Sequence, residues 1–247
     1  MSPVLATGAT GTLGVPTVAR LPAAGVEVRA LSRRTGPGLA TGALVTGVGL
    51  GAALGGVETV RHLATGRSDV LAAFHLVAAA RAAGIRHLAF ISIVGVDRIP
   101  FPYYRQRVAI EELVSSSGIP FTIQRATQFH SFLEQFFTGL RFFPVLLAPT
   151  FPVQSIAAEE VAALLVQLVG AEPAGRAPDI GGPAARPLRE LASVWRRAAG
   201  ARRPVVPVTF PGRTSRAVTA RHALVPGPAY GRTTFEEHLA SRYARAQ

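Results

Sequence analysis

The feature that most restricts this chain lies at its start, where Val4-Leu5-Ala6-Thr7 runs directly into Gly8-Ala9-Thr10-Gly11-Thr12-Leu13-Gly14. Four residues suited to a buried strand meet three glycines, each three positions from the next, and helix-forming residues follow through Arg20 and Ala24. A strand, a tight glycine turn and a helix start, in that order, make a phosphate-binding element. Glycine lets the main chain approach a pyrophosphate, and the helix start offers N–H groups and a partial positive charge. A second strand follows, a context that a lone glycine triplet lacks. The reading is a dinucleotide site on Gly8, Thr10, Gly11, Thr12, Leu13 and Gly14; its rival is a tight turn in an unrelated α/β protein.

Further along, residues 26–31 (Val-Glu-Val-Arg-Ala-Leu) read as the second strand, with Ser32-Arg33-Arg34 at its end. An acidic residue there would accept from a ribose 2′-hydroxyl, whereas arginine suits a 2′-phosphate. No Asp or Glu stands between Glu27 and Glu58. Arg33 and Arg34 therefore point to NADP (NADPH) over NAD, against the simpler reading of two incidental arginines in a solvated turn. Residues 43–45 (Ala-Leu-Val) read as a short third strand and 57–63 as a fourth. The fourth ends in Ala64-Thr65-Gly66, small enough for a cofactor to lie across the strand ends. Ser68 or Asp69 is placed to cap a helix that runs to about residue 83 and stops at Gly84. Residues 87–92 read as a fifth strand, 105–116 as a helix and 121–125 as a sixth strand. Helices are expected at 158–169, 188–199 and 235–246, a short strand at 177–180 and a proline-bearing edge strand at 203–210. Strands alternating with helices at this spacing argue for βαβ units and a parallel sheet.

Composition narrows the function. The chain has 247 residues, 49% of them apolar, enough for a substantial core. Absence of cysteine excludes disulfides and thiolate chemistry. The net charge of +12 comes from 26 basic residues, all arginine. They are scattered, paired only at 33/34, 196/197 and 202/203, whereas nucleic-acid binding asks for a concentrated patch or a reading element; no nucleic-acid partner is expected. No lysine is present to form a Schiff base. The most apolar stretch, residues 132–153, contains Glu134, Arg141, Pro144, Pro149 and Pro152 and makes a poor membrane span. No basic n-region or apolar signal core precedes the first strand, so a cytoplasmic location is expected. The histidines show no metal-ligand spacing with acidic partners, and no metal is expected. Glu111-Glu112 and Glu159-Glu160 read as solvated helix faces.

With these residues in view, the chain resembles the atypical short-chain dehydrogenase/reductases, in particular the NmrA-like NAD(P)-binding proteins. The resemblance is carried by residues 7–14, by Leu31-Ser32-Arg33-Arg34, by Ile91-Ser92-Ile93-Val94-Gly95-Val96-Asp97 and by Arg125-Ala126-Thr127-Gln128-Phe129. It implies an α/β fold, a Rossmann-type doubly wound parallel sheet. Residues 1–150 would form the NAD(P)-binding core, and 151–247 a small C-terminal substrate-binding region packed on it as a single compact unit.

It also implies a catalytic set. Related reductases place a serine at the end of the fifth strand and Tyr-x-x-x-Lys on the next helix; the matching positions are Ser92, Tyr103 and Arg107. Tyrosine would protonate the developing alkoxide, and the arginine would draw its pKa down. Arginine for lysine keeps the charge on a bulkier, forked group. Ala43 stands where relatives commonly place an aspartate that contacts adenine. Gln128 is a further candidate contact to nicotinamide or substrate, alongside Ala64 and Thr65 near the cofactor. His130 is a second candidate proton donor, with a histidine at a helix start as the plainer reading.

The expected function is NADPH-dependent reduction of a small, largely apolar carbonyl or quinone. Phe132, Phe136, Phe137, Phe142 and Phe143 would offer a pocket wall, core packing or a dimer surface. The alternative is a binding module that senses NADP without turnover. A monomer or homodimer is expected.

Overall fold

The computed structural model describes residues 2–244. Along the chain the elements run β1 (Val4–Thr7), α1 (Gly14–Arg20), β2 (Val28–Ser32), β3 (Leu39–Thr41), α2 (Leu50–Ala53), β4 (Thr59–His62), α3 (Asp69–Ala82), β5 (His87–Ile93), α4 (Pro102–Ser115), β6 (Phe121–Ala126), α5 (His130–Gly139), β7 (Leu146–Pro149), β8 (Pro152–Val153), α6 (Ala158–Gln167), β9 (Gly175–Arg176), β10 (Arg186–Pro187), α7 (Leu188–Ala198), β11 (Val205–Val208), α8 (Arg213–Thr219) and α9 (Phe235–Ala244). They fall into two compact units whose segments interleave. The first takes residues up to 92, then 102–125 and 159–178; the second takes 93–101, 126–158 and 179 onward.

The first unit carries a seven-stranded sheet in the order β3-β2-β1-β4-β5-β6-β9. Its pairings β2–β3, β1–β2, β1–β4, β4–β5 and β6–β9 are parallel, with Val4 opposite both Val28 and Thr59. The order turns back between β1 and β4, which makes a crevice at their carboxyl ends. All four residues of β1 are buried, as a strand flanked by parallel neighbours and covered on both faces requires. On α3 the buried Ala72, Ala73, Leu76, Val77 and Ala80 recur at helical spacing and face a core with Leu5, Val60, Leu88, Phe90, Ile110 and Ile123. Gly84, at φ +67, turns the chain out of that helix. The Rossmann-type α/β fold is thus present.

The second unit has its own core, in which Phe137, Leu146, Leu191, Trp195, Phe235 and Leu239 pack together. Its strands are short: β7 pairs with β11 in parallel, and β8 with β10 antiparallel.

Three expectations are corrected. The third strand is Leu39–Thr41, placed by pairing with Ala30–Ser32, and the Ala43-Leu44-Val45 stretch is a turn, with Gly47 N–H donating to Ala43 O. The helix expected from 105, α4, starts at Pro102, because proline suits the first helical position, where its missing N–H is not needed. The strand expected at 177–180 is centred on Gly175–Arg176, with only an isolated bridge from Ala126 to Ile180. The edge strand foreseen at 203–210 appears as Val205–Val208, and residues 245–246 of the terminal helix lie outside the described residues.

Candidate functional site

The glycine turn sits at the carboxyl end of β1, on the crevice where strand order reverses. Gly8 has φ +67, and a Cβ there would lie 2.6 Å from the main chain of Ala64, so the turn presses directly on the end of β4. A Cβ on Gly14 would fall 2.0 Å from Gly8 O, so α1 can start there only on glycine. Gly11 differs: its nearest neighbour is Gly8 O at 3.2 Å, and Thr10, Gly11 and Thr12 are exposed. Thr7 fastens the two strand ends. Its hydroxyl accepts from the N–H groups of Leu63 (3.2 Å) and Ala64 (3.3 Å) and donates to His62 Nδ1 at 2.8 Å. Arg33, Arg34 and Thr65 are exposed, Ala64 is half-buried, and Leu13 is buried beneath the turn. An exposed glycine tip over a rigid, closely packed base fits a dinucleotide pyrophosphate, and small residues beyond β4 leave its path clear.

Beyond β4 and β5, still in the first unit, lies a buried polar cluster. Arg107, on α4 and 2% exposed, donates from Nη2 to Ile91 O, lies with Cζ 4.5 Å above the Phe90 ring, and places Nη1 3.6 Å from Asp69 Oδ2. Ser92 Oγ, His62 Nε2, Asp69 Oδ2 and Arg107 Nε and Nη1 are buried without a hydrogen-bond partner among the described residues. Burial and the nearby Arg107 charge push His62 down to about 3, so its ring is neutral. The neutral ring accepts a hydrogen bond from the Thr7 hydroxyl at Nδ1 and carries its own hydrogen on Nε2. Tyr103, half-buried one turn before Arg107, has its pKa raised: burial dominates, Arg107 opposes, and Asp69 adds to the rise. The expected lowering by the arginine is therefore overturned, because desolvation and the Asp69 charge outweigh it.

Glu111 is also not on a solvated face. It is 9% exposed and takes a two-pronged ion pair from Arg125, Nε to Oε1 at 2.8 Å and Nη2 to Oε2 at 2.6 Å. The fork of the arginine satisfies both oxygens of a carboxylate that burial would otherwise penalise.

Gln128 and His130 belong to the second unit. Gln128 is half-buried and its carbonyl accepts from Ile156 N–H at 2.9 Å. His130 is 1% exposed, with Nε2 3.0 Å from Thr233 O and Nδ1 2.8 Å from Ser155 Oγ. A carbonyl only accepts, so Nε2 carries the hydrogen and Nδ1 accepts from Ser155. The ring is thus hydrogen-bonded at both nitrogens to residues of its own unit. Of the phenylalanines, Phe137 is fully buried in the core of this unit, while Phe132, Phe136, Phe142 and Phe143 are exposed.

Sequence reasoning missed Asp69 and His62 as members of the cluster. Asp69 was read as a cap, yet it begins α3 buried at 5% exposure, and Ser68 makes no side-chain cap bond. No motif marks either residue; their partners are brought in by the sheet. Among the described residues no three His, Asp or Glu side chains converge as a metal site, and no helix is long and apolar enough to cross a membrane.

Comparison with known proteins agrees with this geometry. Residues 8–172 match the model of a family described as NAD(P)H-binding. A (4-alkanoyl-5-oxo-2,5-dihydrofuran-3-yl)methyl phosphate reductase of Streptomyces griseus subsp. griseus is 36% identical, over 80% of this chain and 74% of that protein. An NADPH-dependent quinone oxidoreductase of Escherichia coli, solved with NADPH, shares the fold at TM-score 0.81 and 18% identity, over 97% of this chain and 99% of that one. A triphenylmethane reductase of Citrobacter sp. does so at TM-score 0.78 and 18% identity, over 98% and 99%. The chain therefore belongs to the NAD(P)H-binding family.

Proposed function

We propose that this protein is an NADPH-dependent reductase that delivers hydride to a small, largely apolar carbonyl or quinone. The observation that carries the reading is a half-buried phenol with a raised pKa, Tyr103, one helical turn before the buried Arg107, in the unit that also holds Ser92 and the glycine cradle. NADPH, when bound, supplies the hydride. The turn of Gly8, Thr10, Gly11, Thr12, Leu13 and Gly14 holds the pyrophosphate at its exposed tip, residues 10–12, and Arg33 and Arg34 reach the 2′-phosphate. Tyr103 gives its proton to the oxygen that gains charge as hydride arrives, with Ser92 as a hydrogen-bonding partner of that oxygen. The first unit serves the cofactor, and the second the substrate. A second acceptor class is favoured by the 36% relative, whose name describes a ring alkene flanked by carbonyl groups. Hydride then adds to carbon, and Tyr103 protonates the enolate that results.

The test is single-turnover NADPH oxidation against panels of aldehydes and ketones, quinones, and unsaturated lactones. Tyr103→Phe is expected to lose about 10²–10⁴ in carbonyl turnover with cofactor affinity unchanged. Unchanged carbonyl turnover would move the acid elsewhere, and binding without oxidation by any acceptor would favour an NADP-sensing module. Cofactor choice is tested by titration: Arg33→Ala/Arg34→Ala should remove most of a preference for NADPH over NADH, since a charged bond to phosphate is worth about 1.5–3 kcal/mol.

A further inference from the structure

We propose that Asp69 is the counterion built into this site: it balances the buried Arg107 guanidinium and offsets that charge's pull on the Tyr103 proton. The inference rests on the proposed reading of Tyr103 as donor only for its effect on turnover.

Arginine stands here where related reductases carry lysine. A guanidinium cannot shed its charge, so a buried one needs a counterion in the fold. Among the described residues Asp69 is the carboxylate within ion-pair reach of Arg107, its Oδ2 3.6 Å from Nη1, both side chains at 5% exposure or less. The carboxylate is itself fixed, since it begins α3, which packs on α4, and it takes a hydrogen bond from the Gly66 main chain. The guanidinium is fixed on its other sides by the Ile91 carbonyl and the Phe90 ring.

Three titratable groups among the described residues act on this pair. His62 on β4 is neutral. Glu111, one turn further along α4, draws on Arg107 from a distance but is held by Arg125 of β6. Tyr103 on α4 faces both members, lowered by Arg107 and raised by Asp69. The pair thus presents opposite charges to the phenol, and removing one leaves the other unopposed.

The experiment is a pH titration of phenolate absorbance in the full-length protein without cofactor, with Tyr103→Phe subtracted to isolate that one of the four tyrosines. Asp69→Asn should move the Tyr103 midpoint to lower pH, and Asp69→Glu should keep it near the parent value. Arg107→Met should raise it, and Asp69→Asn/Arg107→Met should bring it back down. A midpoint that Asp69→Asn leaves in place or raises overturns the proposal. If Asp69→Asn fails to fold, the comparison of Arg107→Met with the double variant, which buries no unpaired charge, still decides: equal midpoints overturn the proposal. Turnover is read separately. If the midpoint falls in Asp69→Asn, the proposal stands; an alkaline limb of kcat that follows it supports Tyr103 as donor, and one that does not removes only that assignment.

Discussion

Thr7 carries one hydroxyl and three partners: the N–H groups of Leu63 and Ala64 and the Nδ1 of His62. Replacing it with valine preserves shape but leaves two main-chain donors and a ring nitrogen without it in a buried place. Thr7→Val is expected to lower stability by about 1–3 kcal/mol, read as a fall in the denaturant midpoint at unchanged slope. The threonine was visible in the sequence only as a strand residue. Gly11 and Gly14 were legible because their close neighbours, Gly8 and Ala9, are a few residues away. Asp69 with Arg107, Glu111 with Arg125, and His130 with Ser155 and Thr233 were not legible, because each pairing spans 14 to 103 positions and exists only once the chain has folded. Tyr103 is expected from the sequence to titrate low because Arg107 is a helical neighbour that spacing reveals, whereas the burial that dominates and the Asp69 charge exist only in the fold.

The glycine turn separates two jobs that one motif combines. Gly14→Ala puts a Cβ 2.0 Å from Gly8 O, so the loop must shift away from β4 or α1 must start later. That variant is expected to lose both stability and cofactor binding. Gly11→Val meets only Gly8 O at 3.2 Å and projects from an exposed tip. It is expected to keep the parent unfolding midpoint and to lose NADPH binding, checked by calorimetry on the same preparation. Strong signals placed the long elements. α7 was expected at 188–199 and runs Leu188–Ala198, its buried Leu191, Ala192, Val194 and Trp195 recurring at helical spacing. β3 was misplaced because residues 36–56 are mostly glycine and small apolar residues, with no alternation to fix a strand. Pairing with β2 chose Leu39–Thr41.

At the scale of the whole molecule, the buried His62 and His87 are held neutral, their values lowered by burial to about 3 and about 4. In the unfolded chain both take a proton near pH 6.5. Between those limits the unfolded state binds protons that the folded state refuses, so this contribution is complete above about pH 6.5 and is lost as pH falls. Each histidine should add a slope of at most about 1.4 kcal/mol per pH unit, and His62→Gln should remove its share when unfolding is followed from pH 7 to 4. The Rossmann-type sheet was legible from the alternation of strands and helices; the interleaving of segments between units was not, since nothing in local pattern says that the chain returns. It returns at residues 159–178, where β9 covers the β6 edge, and the carbonyl of Leu168 accepts from Arg61, a fully buried arginine of β4. During synthesis, then, the nucleotide-binding sheet waits on residues well beyond its sixth strand. A fragment ending at 150, or a chimera joined there, would present β6 as a bare edge and strand a buried cation, so any exchange of the C-terminal part must carry its splice past residue 178.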